Sequence, residues 1–173
     1  MDIVLREVDR LNGLITELLD YARPRELVKT RVELAPLVSE TIRFFGQGKA
    51  LPATVAYAAN AAPVVDADAG QIRQVLFNLL RNAAEAMPAG GEIAVELGQE
   101  GSDAIIAVRD RGEGIPADQQ ERVFEPFFTT KSGGTGLGLP TVHRIVTEHG
   151  GSVVVDSPPG RGTTLTVRLP VAA

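Results

Sequence analysis

Residues 129–142 read "TTKSGGTGLGLPTV". Four glycines crowd positions 133–138, and the chain then enters "LPTVHRIVTEH", whose apolar residues recur at helical spacing. So free a backbone is costly to order, and its place directly ahead of a helix calls for a reason. A glycine loop feeding a helix amino terminus can gather unpaired N–H groups around a phosphate. Lys131 beside it adds a mobile positive charge of the kind that polyphosphates attract. Taken alone, the loop reads equally well as a flexible surface linker.

Working outward, Gly150 closes the helix, and "SVVVDS" and "TTLTVRL" are strands joined by "PPGRG". Upstream, "EIAVEL" and "AIIAVRD" alternate as two strands of a hairpin around "GQEGSD", and "PADQQERVF" holds one or two helical turns. Asp68 reads as the N-cap of a long helix, residues 69–87, with Ile72, Val75, Leu76, Leu79, Leu80 and Ala83 on its apolar face. Before it come "PVVDAD" and a weaker strand, "ATVAYAAN". A helix running from Pro36 through Phe45 follows a short strand, "VEL". Clustered strands with interspersed helices predict an α+β fold: a two-layer α/β sandwich in which one mixed sheet carries about three helices on one face.

The amino terminus differs. Val4, Val8, Leu11, Ile15, Leu18 and Ala22 follow alternating steps of four and three, and Leu5, Leu14 and Leu19 widen the apolar face. That breadth suits a four-helix bundle, with self-association through residues 2–22, better than the alternative of a helix docked on its own domain. Pro24 ends the helix, and the division expected is 1–27 for this helix and 28–173 for the domain.

The composition, 44% hydrophobic and 23% charged over 173 residues, suits one globular domain with a real core. A formal net charge of −5 without a basic stripe argues against nucleic-acid binding. No apolar run approaches the ~18 residues of a membrane span, so no membrane contact is expected of this segment. Absent cysteine excludes thiolate metal sites and fits a cytoplasmic protein.

Asn78 and Asn82 lie four apart on the long helix and share a face, interrupting an apolar segment. Either they bridge neighbouring loops, or they face a cleft where an amide oxygen can meet Mg²⁺. "DRGEGIP", residues 110–116, follows a strand directly. Its Asp110 can accept a hydrogen bond from an exocyclic amine, or can simply mark a turn.

In this order the segments resemble the catalytic, ATP-binding domain of sensor histidine kinases, within the gyrase, chaperone, kinase and mismatch-repair ATPase superfamily. "QVLFNLLRNAAEA" looks like that family's N box, "DRGEGI" its first glycine box, "FEPFFTTK" its F box and "GTGLGL" its second glycine box. "HGGSVVVDSPPGRGTTLTVRLP" is similar to the terminal hairpin, and "EPFFTTK" with a short lid resembles the nitrogen-regulation type.

The resemblance implies a Bergerat-type fold that binds ATP or ADP with Mg²⁺. Asn82 would ligate the metal, with Asn78 in the same corner. Asp110 would hold the adenine amine, with Gly112 and Gly114 admitting the ring and Thr163 supporting Asp110. Phe124, Phe127 and Phe128 would anchor the lid. Thr130, Lys131, Gly134, Thr135, Gly136, Leu137, Gly138 and Leu139 would wrap the phosphates. The expected catalytic set is Asn78, Asn82 and Lys131.

By the same resemblance, residues 1–27 look like the second helix of the dimerisation and phosphoacceptor hairpin. The chain then reads as a piece of a longer kinase beginning at an artificial Met1. The acceptor histidine would lie on a missing helix, and a response regulator would be the final partner. Neither His143 nor His149 matches the phosphoacceptor motif, and both are expected to be structural or on the surface.

Two departures stand out. Glu85 occupies a position where many relatives place a basic residue, and Thr129 stands where some have arginine. Superfamily hydrolases carry glutamate at the position of Asn78, and an amide is a poor base, which favours a kinase over an ATPase. The competing readings are an ATPase or anti-sigma-type serine kinase on the same fold, and a non-catalytic interaction module.

Overall fold

The computed structural model describes residues 26–47, 53–131 and 134–173, together with Ile15, Leu18 and Leu19. These last three are helical and exposed. The remainder of the expected amino-terminal seam lies outside the described residues.

The chain runs β1 (Thr30–Glu33), α1 (Leu34–Gln47), β2 (Ala53–Ala59), β3 (Val64–Ala67), α2 (Ala69–Glu85), β4 (Gly91–Glu100) and β5 (Asp103–Arg109). Two single 3₁₀ turns follow, Ala117–Gln119 and Arg122–Phe124, and then α3 (Gly138–Glu148), β6 (Ser152–Asp156) and β7 (Thr164–Pro170).

The main sheet has five strands in the order β2-β4-β5-β7-β6 and is mixed, because β2 runs parallel to β4 while the other pairs are antiparallel. Alternation along each strand sends one set of side chains inward. Tyr57, Val95, Val108, Leu165 and Val155 line up across all five strands, and Leu97, Ile106, Val167 and Val153 form a second row. The helices cover this face. The apolar stripe of α2 that the spacing marks out, Ile72 through Ala83, is buried at every position named.

Three expectations need correction. The strands do not form one sheet, since β1 and β3 pair separately as an antiparallel two-stranded ladder. Val32 and Val65 face the core there, and Arg31 stands opposite Asp66. Pairing partners are set by tertiary contacts, which a local alternation pattern does not encode. The hairpin is tighter than the glycine-containing stretch suggests, because β4 continues to Glu100 and leaves Gly101 and Ser102 as the turn. Helix α1 also starts at Leu34, with Pro36 in its first turn, where a missing N–H is harmless.

Asp68 caps α2, its Oδ1 accepting from the N–H groups of Gly70 and Gln71 at 2.9 and 3.1 Å. The N–H of Asp68 in turn donates to Nε2 of His149 at 3.0 Å, while Nδ1 of that ring bonds the Ile145 carbonyl at 2.8 Å. The imidazole is therefore neutral with its proton on Nδ1, and it joins the end of α3 to the start of α2. His149→Ala should lower stability by about 2 kcal/mol, because a buried bridge is lost and an amide is left unpaired. Urea denaturation would show a lower midpoint at unchanged slope, whereas an unmoved midpoint would deny the ring this role.

Candidate functional site

Asp110 is the first residue beyond β5, and it is 5% exposed. Its N–H donates to the Thr163 carbonyl at 2.9 Å, carrying the β5–β7 ladder one residue past Arg109 and Thr164. The Asp110 Oδ1 accepts from the N–H of Gly112 at 2.8 Å and from that of Thr163 at 3.1 Å. Its other oxygen, Oδ2, receives no hydrogen bond from the described residues. Burial pushes the carboxyl above its ordinary pKa, while the two N–H groups and the charge of Lys131 pull the other way without overcoming it.

The loop around Asp110 is built to stay put. A side chain at Gly112 would begin 2.7 Å from the Ala86 carbonyl, so this position has to be bare for the loop to lie against the end of α2. Gly114 sits against Pro158 and Ser157. The Ser157 hydroxyl accepts from the Ile115 N–H at 2.7 Å, donates to the Gly162 carbonyl and meets the Thr163 hydroxyl at 2.9 Å. Thr163 thus supports Asp110 through its backbone, and its side chain is held by Ser157. Gln120 adds bonds to the carbonyls of Ile115 and Ser157.

On α2, Asn78 and Asn82 are both half-buried beside the fully covered Leu79 and Leu80. Asn78 makes no side-chain hydrogen bond to the described residues. Asn82 does, since the Lys131 ammonium lies 2.6 Å from its Oδ1 and 3.0 Å from Glu85 Oε2. The structure thus brings Lys131, from the far side of the first glycine box, onto the last turns of α2.

The segment between the second 3₁₀ turn and α3 is pinched at its base. Phe127 has φ +67° and donates its N–H to the Gly136 carbonyl at 3.0 Å. Gly136 has φ +68°, and a Cβ there would lie 2.7 Å from the Phe127 Cα, so backbone rests directly on backbone. The Phe127 ring itself is exposed. Phe124 packs on the core and stacks against His143 with centroids 5.6 Å apart, and the Arg122 guanidinium covers Phe128 at 4.3 Å. Within the loop so closed, Thr129 and Thr130 are exposed and Gly134 lies by the Thr129 hydroxyl.

Leu137 departs from its expected role. Its side chain is buried, and its N–H is taken by the Thr135 hydroxyl at 3.1 Å. Leu139 likewise packs toward the core. Gly138 begins α3, and the Arg81 guanidinium is close enough that a Cβ on Gly138 would meet it at 3.7 Å.

Sequence reasoning missed Arg81, Ser157 and Gln120. Arg81 lies inside the N box next to Asn82, a signal that could have been read, because helical geometry carries it toward the glycine loop. Ser157 and Gln120 act through backbone carbonyls and amides, which no side-chain pattern announces.

With this geometry in view, residues 67–173 match the family described as histidine kinase-, DNA gyrase B-, and HSP90-like ATPase. The chain belongs to that family. Sensor histidine kinase ZraS of Escherichia coli (strain K12) is 40% identical over 171 residues, which is 98% of this chain and 37% of ZraS. The chain therefore spans a little over a third of that relative's length.

Among solved structures, the catalytic domain of histidine kinase ThkA, nucleotide free, superposes with a TM-score of 0.75 at 31% identity, covering 85% of this chain and 97% of that one. ThkA in complex with response regulator protein TrrA gives 0.78 at 28% identity over 99% of this chain and 50% of that one. Full-length ShkA in complex with AMPPNP gives 0.83 at 30% identity, covering 99% of this chain and 38% of that one.

Asp110→Asn tests how the acid is held. An amide oxygen can keep both backbone bonds while the buried charge disappears. Because the folded carboxyl has a raised pKa, wild-type stability is lost as pH climbs through the range between its unfolded and folded values. The variant should therefore melt at the same or a higher temperature at neutral pH, with the gap closing below the ordinary aspartate range. A markedly lower melting temperature at neutral pH would mean that the charge itself holds the loop.

Proposed function

We propose that the chain is the ATP-binding catalytic part of a two-component sensor histidine kinase working in the cytoplasm. Bound ATP would pass its γ-phosphoryl group to a histidine on a helix outside this chain, and from there to an aspartate of a response regulator. One observation carries the nucleotide reading. Asp110 is buried and clamped by two amides through one oxygen, yet its other oxygen has no hydrogen-bond partner among the described residues.

The residues present fit the nucleotide and its metal. Asp110 Oδ2 suits an exocyclic amine, and the Asn82 amide oxygen already holds a cation in the form of Lys131. Mg²⁺, when bound, would neutralise phosphate charge. Asn82 would hold it, Asn78 would lie in the same corner, and Lys131 and Arg81 would bring positive charge toward the glycine loop.

Phosphoryl transfer asks the protein chiefly for alignment and charge stabilisation. Asn78 supplies an amide where a hydrolase needs a carboxylate base, so it can orient a group without activating water. Residues 1–27 would form the second helix of the dimerisation hairpin, and the exposed Ile15, Leu18 and Leu19 support self-association through 2–22.

Asn82→Ala should weaken Mg²⁺-dependent ATP binding by about tenfold while sparing metal-free binding, as read by calorimetry with and without Mg²⁺. Asp110→Asn should turn an amide N–H₂ toward the adenine amine and so reduce the preference for adenine over guanine nucleotides. An unchanged preference would remove Asp110 from base recognition. For the reaction, the chain should be incubated with γ-labelled ATP and a phosphoacceptor hairpin supplied in trans. Acid-labile, base-stable phosphohistidine is expected. Free phosphate released without phosphohistidine would favour the ATPase reading.

A further inference from the structure

Glu85 lies one turn beyond Asn82 on α2, and a carboxylate there should repel a polyphosphate bound at that end of the helix. The structure shows what balances it. Three oxygens converge on the single ammonium of Lys131: Asn82 Oδ1 at 2.6 Å, the Asn82 carbonyl at 3.3 Å and Glu85 Oε2 at 3.0 Å. An ammonium has three N–H groups, and each here has an acceptor. The other Glu85 oxygen lies 3.8 Å from Arg81 Nε, which orients the carboxylate along the helix.

An amide oxygen and a carboxylate oxygen are the hard ligands that a divalent cation selects. Lys131 comes from the loop that Phe127 and Gly136 pinch off, so its ammonium can withdraw without disturbing α2. Once it does, Glu85 faces bound phosphates, and two negative groups at close range are tolerated when a cation lies between them.

Resting on the nucleotide reading above, we propose that Asn82 and Glu85 together form the oxygen seat for the nucleotide's divalent cation. Lys131 is its internal occupant, displaced when the ion arrives and thereby freed to follow the phosphates. Glu85 then takes over, through the metal, the charge balance that a basic residue supplies in relatives.

Mn²⁺ titration of the ADP-saturated chain, followed by electron paramagnetic resonance, tests this. Glu85→Gln should lower the Mn²⁺ affinity of the ADP complex about tenfold. Lys131→Met should raise it, because the ion no longer competes for the seat. ADP binding in EDTA, measured alongside with a fluorescent analogue, should survive in Glu85→Gln, and Lys131→Met is read at ADP concentrations that saturate it. If Glu85 were merely the counter-ion of Lys131, neutralising it would release Asn82 to the metal. A rise or no change in Mn²⁺ affinity in Glu85→Gln, with ADP binding intact, would therefore overturn the proposal. A fall in Lys131→Met would overturn the displacement step. Failure of the wild-type chain to bind ADP in EDTA would instead overturn the nucleotide reading.

Discussion

The clamp on Asp110 is the constraint around which the rest of the site is arranged. A carboxylate taken out of water must be met by donors, and here both come from the backbone, from Gly112 and Thr163. Backbone donors cannot rotate away, so one oxygen is spent in fixing the side chain and the other is aimed. The same loop depends on bare backbone at Gly112 to reach the end of α2, where Asn82 stands. The acid proposed to read the base and the amide proposed to face the metal are thus held in register by one short contact between a strand end and a helix end. That contact relies in turn on α2 lying flat on the sheet through Ile72, Leu76, Leu79 and Leu80.

Charge in the site is divided by mobility. The carboxylate of Asp110 is rigid. Arg81 and Glu85 sit on a packed helix, and Lys131 rides on a loop joined to the body through the Phe127–Gly136 contact. A long, flexible ammonium can exchange partners at little cost, whereas a guanidinium on a helix keeps its place. Under the proposed function, the fixed groups would define where phosphate and metal belong, and the flexible ammonium would respond to their arrival.

Much of this was legible in the residues. The apolar stripe of α2 and the Asp68 cap are read directly from spacing, because a helix face and an N-cap are local properties. The glycine boxes announced themselves because close backbone approach leaves no substitute for a missing side chain. Legibility ended where the answer depended on a distant partner. The pairing of β1 with β3 apart from the main sheet, the role of Ser157 beneath the first glycine box and the meeting of Lys131 with Asn82 all join segments far apart in sequence. Leu137 shows the converse. A residue inside the second glycine box turns its side chain to the core, where it anchors the helix that follows.

The pinch at Phe127 fixes where the loop leaves the body and where it returns. Phe127 holds a left-handed conformation that a bulky residue adopts only at a cost of about 1–3 kcal/mol, so surrounding contacts must enforce it. The Gly136 carbonyl bond and the direct backbone packing supply that enforcement. Phe124 and Phe128 secure the near side through His143 and Arg122. Leu137 secures the far side. Phe127 and Gly136 therefore meet, and the chain leaves the body and rejoins it at one point. The Lys131–Asn82 contact and the clamp on Asp110 use separate groups, so either can change without breaking the other's bonds. Under the proposed function, recognition of the base and handling of the phosphates would thus fall to separate groups, as transfer of a terminal phosphate to an external acceptor requires.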